Sequence, residues 1–216
     1  MLKGFQLGIN AAVQRIATDA RQICGEWDEI IDEDDFTSQF VRKIKDSLNN
    51  ENLHGLQFKA RVSRLKWRGA RSQERVLGAD LFLSVDVKAR NYAACKGYFV
   101  QAKASNVSKY DPDFKFDDHL RRQVRRMLAV TPESYVWIYA PDGVSVLRAG
   151  AVGAAGSAGR LKDSLPFTIS GFFRSCFSSR SGDFRLGSKG KYGMQLEIEK
   201  LRATRILEIV ATGEDI

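Results

Sequence analysis

Apolar residues recur along the chain at two different spacings. From residue 5 to 24, Phe5, Ile9, Ala12, Val13, Ile16 and Ala20 repeat at helical intervals with Gln14, Arg15, Asp19 and Arg21 opposite, which predicts an amphipathic opening helix. An acidic stretch from Glu26 to Asp35 leads into a second helix, where Phe36, Phe40, Ile44 and Leu48 recur every four residues and Asn49-Asn50 closes it. Its acids surround the first turn, where the positive end of the helix dipole favours them, and Asp34 and Asp35 are expected as caps. From Leu56 to Trp67 the period falls to two: Leu56, Phe58, Ala60 and Val62 share one face and Gln57, Lys59, Arg61 and Ser63 the other, a half-buried strand. Two more strands, Ala79 to Val87 and Gly97 to Ala104, flank a polar connection that suits a hairpin or meander, so three strands are expected to run consecutively. Phe116, Leu120, Val124, Met127 and Leu128 mark a third helix, and Tyr135 to Ala140 a short buried strand ended by Pro141-Asp142-Gly143.

Beyond Leu147 the pattern weakens. Gly150 to Gly159 is rich in Gly and Ala and reads as a flexible turn, its spacing being wrong for a dinucleotide loop; Leu196 to Val210 mixes apolar and charged residues. Phe172, Phe173, Cys176 and Phe177 form an apolar cluster at helical spacing, suited to a core or an oligomer contact. At 216 residues the chain fits one domain with a sizeable core. The expected architecture is α/β: an N-terminal amphipathic helix over 1–25, a core over 26–148, and a C-terminal extension over 149–216 packed on that core. The core order is helix-strand-strand-strand-helix-strand, with a central mixed sheet of about four strands flanked by helices.

Charge narrows the partners. Lys and Arg number 34 against 26 Asp and Glu, a formal charge of +8 that favours polyanions such as nucleic acid. Between residues 59 and 75, seven basic residues including Lys59, Arg61, Arg64, Lys66, Arg68 and Arg71 face one acid, Glu74, which makes this stretch the better candidate for a DNA-facing surface. Arg121, Arg122, Arg125 and Arg126 crowd the third helix and could hold phosphates. Cys24, Cys95 and Cys176 are far apart and form no zinc pattern, which suits a reducing cytosol. No segment nears the roughly 18 apolar residues needed to span a bilayer, and the start lacks a secretion pattern, so a cytoplasmic protein with no membrane partner is expected. His54 and His119 are too few for an HNH-type nuclease.

The candidate chemistry lies on the central strands. Gln101 and Lys103 are two apart, so their side chains leave the same face, and Asp80 at the start of the preceding strand could reach them if the two strands pair. Asp80, the Gln101 side-chain oxygen and the Ala102 carbonyl are suitable ligands for a divalent cation that polarises a phosphodiester and acidifies an attacking water, with Lys103 set against the developing charge. A neutral Gln in that set calls for another carboxylate, Glu33 at the helix start being preferred over Glu29 and Glu74. Gln123 sits beside the apolar stripe of the third helix, where it could face the sheet.

Glu33-Asp34-Asp35-Phe36-Thr37, Glu74 ahead of Gly78-Ala79-Asp80, Val100-Gln101-Ala102-Lys103 and a helix with Gln123 together resemble the PD-(D/E)xK superfamily of restriction-endonuclease-like proteins. The likeness is to the Q-x-K variant of Mrr-like and phage-defence nucleases, and covers about residues 26 to 148. It implies a restriction-endonuclease-like core with Asp80 and Gln101 as metal ligands, Lys103 as catalytic lysine, Glu33 as the helix acid and Gln123 lining the site. The implied activity is Mg²⁺- or Mn²⁺-dependent endonucleolytic cleavage of DNA in bacterial anti-phage defence or restriction, by a homodimer or a larger complex with a defence partner. The chain departs from the motif in having no proline before Asp80 and Gln in place of Asp or Glu. The rival readings are a catalytically impaired module that binds nucleic acid, and an assembly subunit.

Overall fold

The computed structural model describes residues 5–29, 32–64, 79–89, 92–155, 159–161, 164–178, 181–187 and 203–213. These form a mixed eight-stranded sheet with helices on both faces, an α/β architecture. The sheet is twice the size expected from the alternating segments. Its strands are β1 (Asn52–Leu53), β2 (Leu56–Arg64), β3 (Leu81–Ala89), β4 (Tyr92–Ala104), β5 (Ser134–Ala140), β6 (Gly143–Arg148), β7 (Phe167–Thr168) and β8 (Arg205–Gly213). The spatial order is β1-β2-β8-β3-β4-β5-β6-β7.

The expected consecutive run of three strands is therefore corrected. β3 and β4 do pair as an antiparallel hairpin, but β8 lies between β2 and β3, antiparallel to the first and parallel to the second. Residues 149–216, expected to rest on the core, supply this inner strand. Burial explains its place: Leu207, Ile209 and Ala211 are wholly enclosed on one face, while Ile206, Glu208 and Val210 alternate to a half-buried face. At the other end of β2, His54 and Gly55 both have positive φ and close a two-residue hairpin loop between β1 and β2, with Asn52 accepting from the Gly55 amide.

Two cores cover the sheet. Over one face pack α1 (Gln6–Gly25), α2 (Glu33–Leu48) and α5 (Ile169–Phe177), around Phe36, Phe40, Tyr98, Trp137, Tyr139, Phe172 and Phe173. The cluster expected around Phe172 is thus core, and the Phe36 and Tyr139 rings stack 3.8 Å apart. Over the opposite face pack α3 (Asp118–Leu128), α4 (Ala149–Ala154) and α6 (Phe184–Gly187), around Phe82, Phe99, Leu120, Val124, Met127 and Ile138. The stretch read as a flexible Gly/Ala turn therefore begins as a helix: α4 packs on α3, with Gly153 facing Val124 and Leu128 and Val152 buried.

Because β8 is an inner strand, Leu207→Ala is expected to cost about 2–5 kcal/mol in urea denaturation. Leu165→Ala, at a position 95% exposed, should change stability by no more than about 0.5 kcal/mol. Equal, small effects would show that β8 does not hold the sheet together.

Candidate active site

β4 outruns its neighbour. β3 starts at Leu81, opposite Val100, and Asp80 makes the last ladder bond, its amide donating to the Val100 carbonyl at 2.9 Å. Amides of alternate residues in a strand point to the same side, so Ala102 and Ala104 offer two N–H groups, about 6.6 Å apart along the strand, where β3 has no backbone left to accept them. Two carboxylates take the place of that missing backbone. Asp80 Oδ2 accepts from the Ala102 amide at 2.8 Å, and Glu33 Oε1 from the Ala104 amide at 3.0 Å. The second Glu33 oxygen pairs with Lys103 Nζ at 3.2 Å, and Gln101 Nε2 donates to Asp80 and to the Ala102 carbonyl. Asp80, Gln101, Ala102, Lys103 and Glu33, nominated from separate parts of the sequence, thus meet in one continuous network.

Local structure fixes each member. Glu33 opens α2, whose cap is Asp32, accepting from the Asp35 amide at 2.8 Å; the sequence had suggested Asp34 and Asp35 for that role. Freed from capping, Asp34 binds Arg205 Nη1 at 2.6 Å, and Arg205 Nε reaches Ser38 at 2.9 Å. Arg205, only 3% exposed, begins β8 in register with Leu81, and the neighbouring Thr204 hydroxyl donates to the Asp80 carbonyl at 2.9 Å. The helix carrying Glu33 and the strand end carrying Asp80 are therefore tied to adjacent residues, Arg205 and Thr204. Sequence reasoning missed Arg205: within a stretch of mixed polarity, only the alternation Arg205, Leu207, Ile209, Ala211 hinted at a strand.

The electrostatics are uneven. Burial raises the Asp80 carboxyl to about 6, opposed by the Ala102 amide and the Lys103 ammonium and reinforced by the charges of Glu33 and Asp34. Asp34 is held below the usual carboxylate range, chiefly by its hydrogen bond from Arg205. Two amide oxygens stand out because they are buried without a hydrogen-bond partner among the described residues: Gln101 Oε1 and Gln123 Oε1. Gln123 is 6% exposed on α3, which covers the face from which Gln101 leaves β4. Beside Glu33, a small cavity of about 100 Å³ is lined by Trp27, Asp32, Phe36, Ala104, Asn106 and Tyr139.

The remaining candidates separate. Lys59, Arg61 and Arg64 are exposed on β2, and the first two line an open groove with Lys45, Asn49 and Asn50. Arg64 lies near enough to Asp34 to lower its pKa. Arg121 is largely covered and pairs with Asp118, whereas Arg122, Arg125 and Arg126 face outward. Lys66, Arg68, Arg71 and Glu74, and the side chain of Glu29, lie outside the described residues.

No family model, curated protein or solved structure matches the chain. Among the described residues no three His, Cys, Asp or Glu side chains gather as a metal-binding group, so any cation here would rely on amide and carbonyl oxygens beside Asp80. That donor set, all oxygen with one ligand atom still unpartnered, fits a hard divalent cation such as Mg²⁺ or Mn²⁺ and not zinc. Glu33 caps the amide two residues beyond the one that Asp80 caps, a step of about 6.6 Å along β4, and its other oxygen is paired with Lys103.

The raised Asp80 pKa has a thermodynamic signature. The folded protein holds this proton more tightly than an unfolded chain titrating near 3.8, so ionised Asp80 costs stability above about pH 6 and nothing below about pH 4. At about 1.4 kcal/mol per pH unit, the cost reaches up to about 3 kcal/mol. Asp80→Asn keeps an acceptor for Ala102 and is expected to resist urea better than the native protein at pH 8, with the gap closing by pH 4. A variant no more stable than the native protein at pH 8 would contradict the buried carboxylate.

Proposed function

We propose that the chain is a metal-dependent nuclease with a PD-(D/E)xK, restriction-endonuclease-like core, hydrolysing phosphodiester bonds in DNA. The observation that carries this reading is the network on the overhanging edge of β4, where Asp80, Gln101, Lys103 and Glu33 share one site at the end of a β-hairpin. Asp80, Gln101 and the Ala102 carbonyl would hold Mg²⁺ or Mn²⁺, since a half-turn of the Gln101 amide exchanges its bonded nitrogen for its unpartnered oxygen. Such an ion, when bound, supplies a polarised phosphate and a water of lowered pKa.

The chain's own groups do the rest. Lys103, its ammonium oriented by Glu33 and its side chain 17% exposed, stands where negative charge would develop on the phosphate. Arg64 at the margin of the site, with Lys59 and Arg61 along β2 and Arg122 and Arg125 on α3, would neutralise backbone phosphates and make binding fall with salt. A role in bacterial anti-phage defence, acting as a homodimer or within a larger complex, completes the proposal; cutting both strands of a duplex with one site per chain calls for two chains. A cytoplasmic setting is supported by three free cysteines, and among the described residues no helix is long and apolar enough to cross a membrane.

A second reading, a nuclease-like module that binds nucleic acid without cutting it, is favoured by the neutral Gln101 and the lack of a third acidic ligand among the described residues. Supercoiled plasmid incubated with Mn²⁺ or Mg²⁺ separates the two. The native chain is expected to nick or linearise it, and Lys103→Ala to be slower by about 10²-fold or more. Equal cleavage by both would remove Lys103 from the chemistry, and salt-sensitive binding with no cleavage by either would establish the binding module.

A further inference from the structure

On the α1 and α5 face of the sheet, away from the network on β4, lies a cavity of about 540 Å³. Its floor is apolar and nearly sealed: Ile9 of α1, Tyr135 of β5 and Phe172 of α5 are each no more than 2% exposed. Its rim carries the half-buried Phe167 of β7 and two exposed arginines, Arg148 at the end of β6 and Arg174 on α5. Tyr135 shares its face with Trp137 and Tyr139, whereas Gln101 and Lys103 follow Phe99 onto the face under α3, and no residue of the β4 network lines this cavity.

The charges at this cavity are unbalanced. Neither arginine forms an ion pair among the described residues; the Arg148 guanidinium lies 5.9 Å from the Tyr135 ring centre. A third cation lies beneath the lining. Lys96 is wholly buried, donates to the carbonyl of the lining residue Ser178, and is pushed by burial to about 8. Glu133 is the carboxylate felt by Lys96 and Tyr135, but one of its oxygens is already engaged inward by the Tyr135 hydroxyl at 2.7 Å and the Gly182 amide at 3.0 Å. The opening thus joins cationic groups to an aromatic wall.

Those features select a ligand class. Two guanidinium groups suit a phosphate, but a bare phosphate would leave the wall of Phe167 and Phe172 and most of the volume unused. An uncharged ring would leave both arginines without a partner. The volume lies within the roughly 300–1,000 Å³ typical of small-molecule sites, and the lining side chains of Gln6 and Ser175, which donate to Asn10 and Ser181, keep acceptor oxygens for a sugar hydroxyl. We propose that this cavity binds a nucleotide, with its phosphate between Arg148 and Arg174 and its base against Phe167. The same chemistry is offered by a free mononucleotide or by the phosphorylated end of a nucleic-acid strand.

Calorimetric titration of the full chain without metal tests this independently of any nuclease activity. The probes are AMP, GMP and UMP, a 5′-phosphorylated tetranucleotide and its unphosphorylated form, with adenosine and inorganic phosphate as controls. Saturable binding of a mononucleotide or the phosphorylated strand is expected, weakened at least about tenfold by Arg148→Ala or Arg174→Ala and unchanged by Lys103→Ala. Both arginines are exposed, so thermal melting should show the variants folded. The tighter of mononucleotide and strand end identifies the source. Absence of saturable binding up to about 5 mM, binding retained in both arginine variants, or binding lost in Lys103→Ala would each overturn the proposal.

Discussion

Two backbone amides shape the candidate site. β4 continues past the start of β3, and the N–H groups of Ala102 and Ala104 would face a gap where β3 has ended. A buried amide without an acceptor costs about 1–3 kcal/mol, and here the acceptors are carboxylates. Asp80 and Glu33 thus meet one strand edge through these hydrogen bonds, with Lys103 between the two capped positions and Gln101 just before them on the same strand. A strand overhang satisfied by acids collects charge at a defined place, at the cost of raising the Asp80 pKa to about 6.

The rest of the fold holds that overhang in place. β8 enters the middle of the sheet and brings Arg205 and Thr204 to the end of β3, where one binds Asp34 on α2 and the other the Asp80 backbone. Burying a guanidinium to 3% exposure is expensive unless it is paired and hydrogen-bonded. Arg205 is held by Asp34, Ser38 and Thr204, which adjoin Glu33 and Asp80, while its Nη2 stays buried without a partner among the described residues. Stability and site geometry therefore draw on the same contacts.

Local pattern made the site residues legible and left the topology hidden. Period-two alternation located β2, and the hairpin partners β3 and β4 followed from apolar runs around a polar connection, so the pairing of Asp80 with Gln101 and Lys103 could be anticipated. The acidic start of α2 pointed to Glu33, but propensity could not say which acid caps the helix; Asp32 does so because its extended backbone turns its side chain onto the Asp35 amide. The insertion of β8 was illegible because it pairs with strands more than 100 residues earlier, a non-local contact to which sequence periodicity is blind. Its mixed composition reflects a strand with one sealed face and one half-buried face, unlike the uniformly buried β5.

The central claim is that Asp80, Gln101 and the Ala102 carbonyl form a cation site supported by Glu33 and Lys103. Diffraction from crystals soaked in Mn²⁺, read by anomalous scattering, addresses it most directly. The expected result is a single peak per chain in contact with Asp80 and Gln101, with Lys103 still paired to Glu33. Crystals that take up no manganese there, with both carboxylates still capping Ala102 and Ala104, would show that the acids serve only to close the edge of β4.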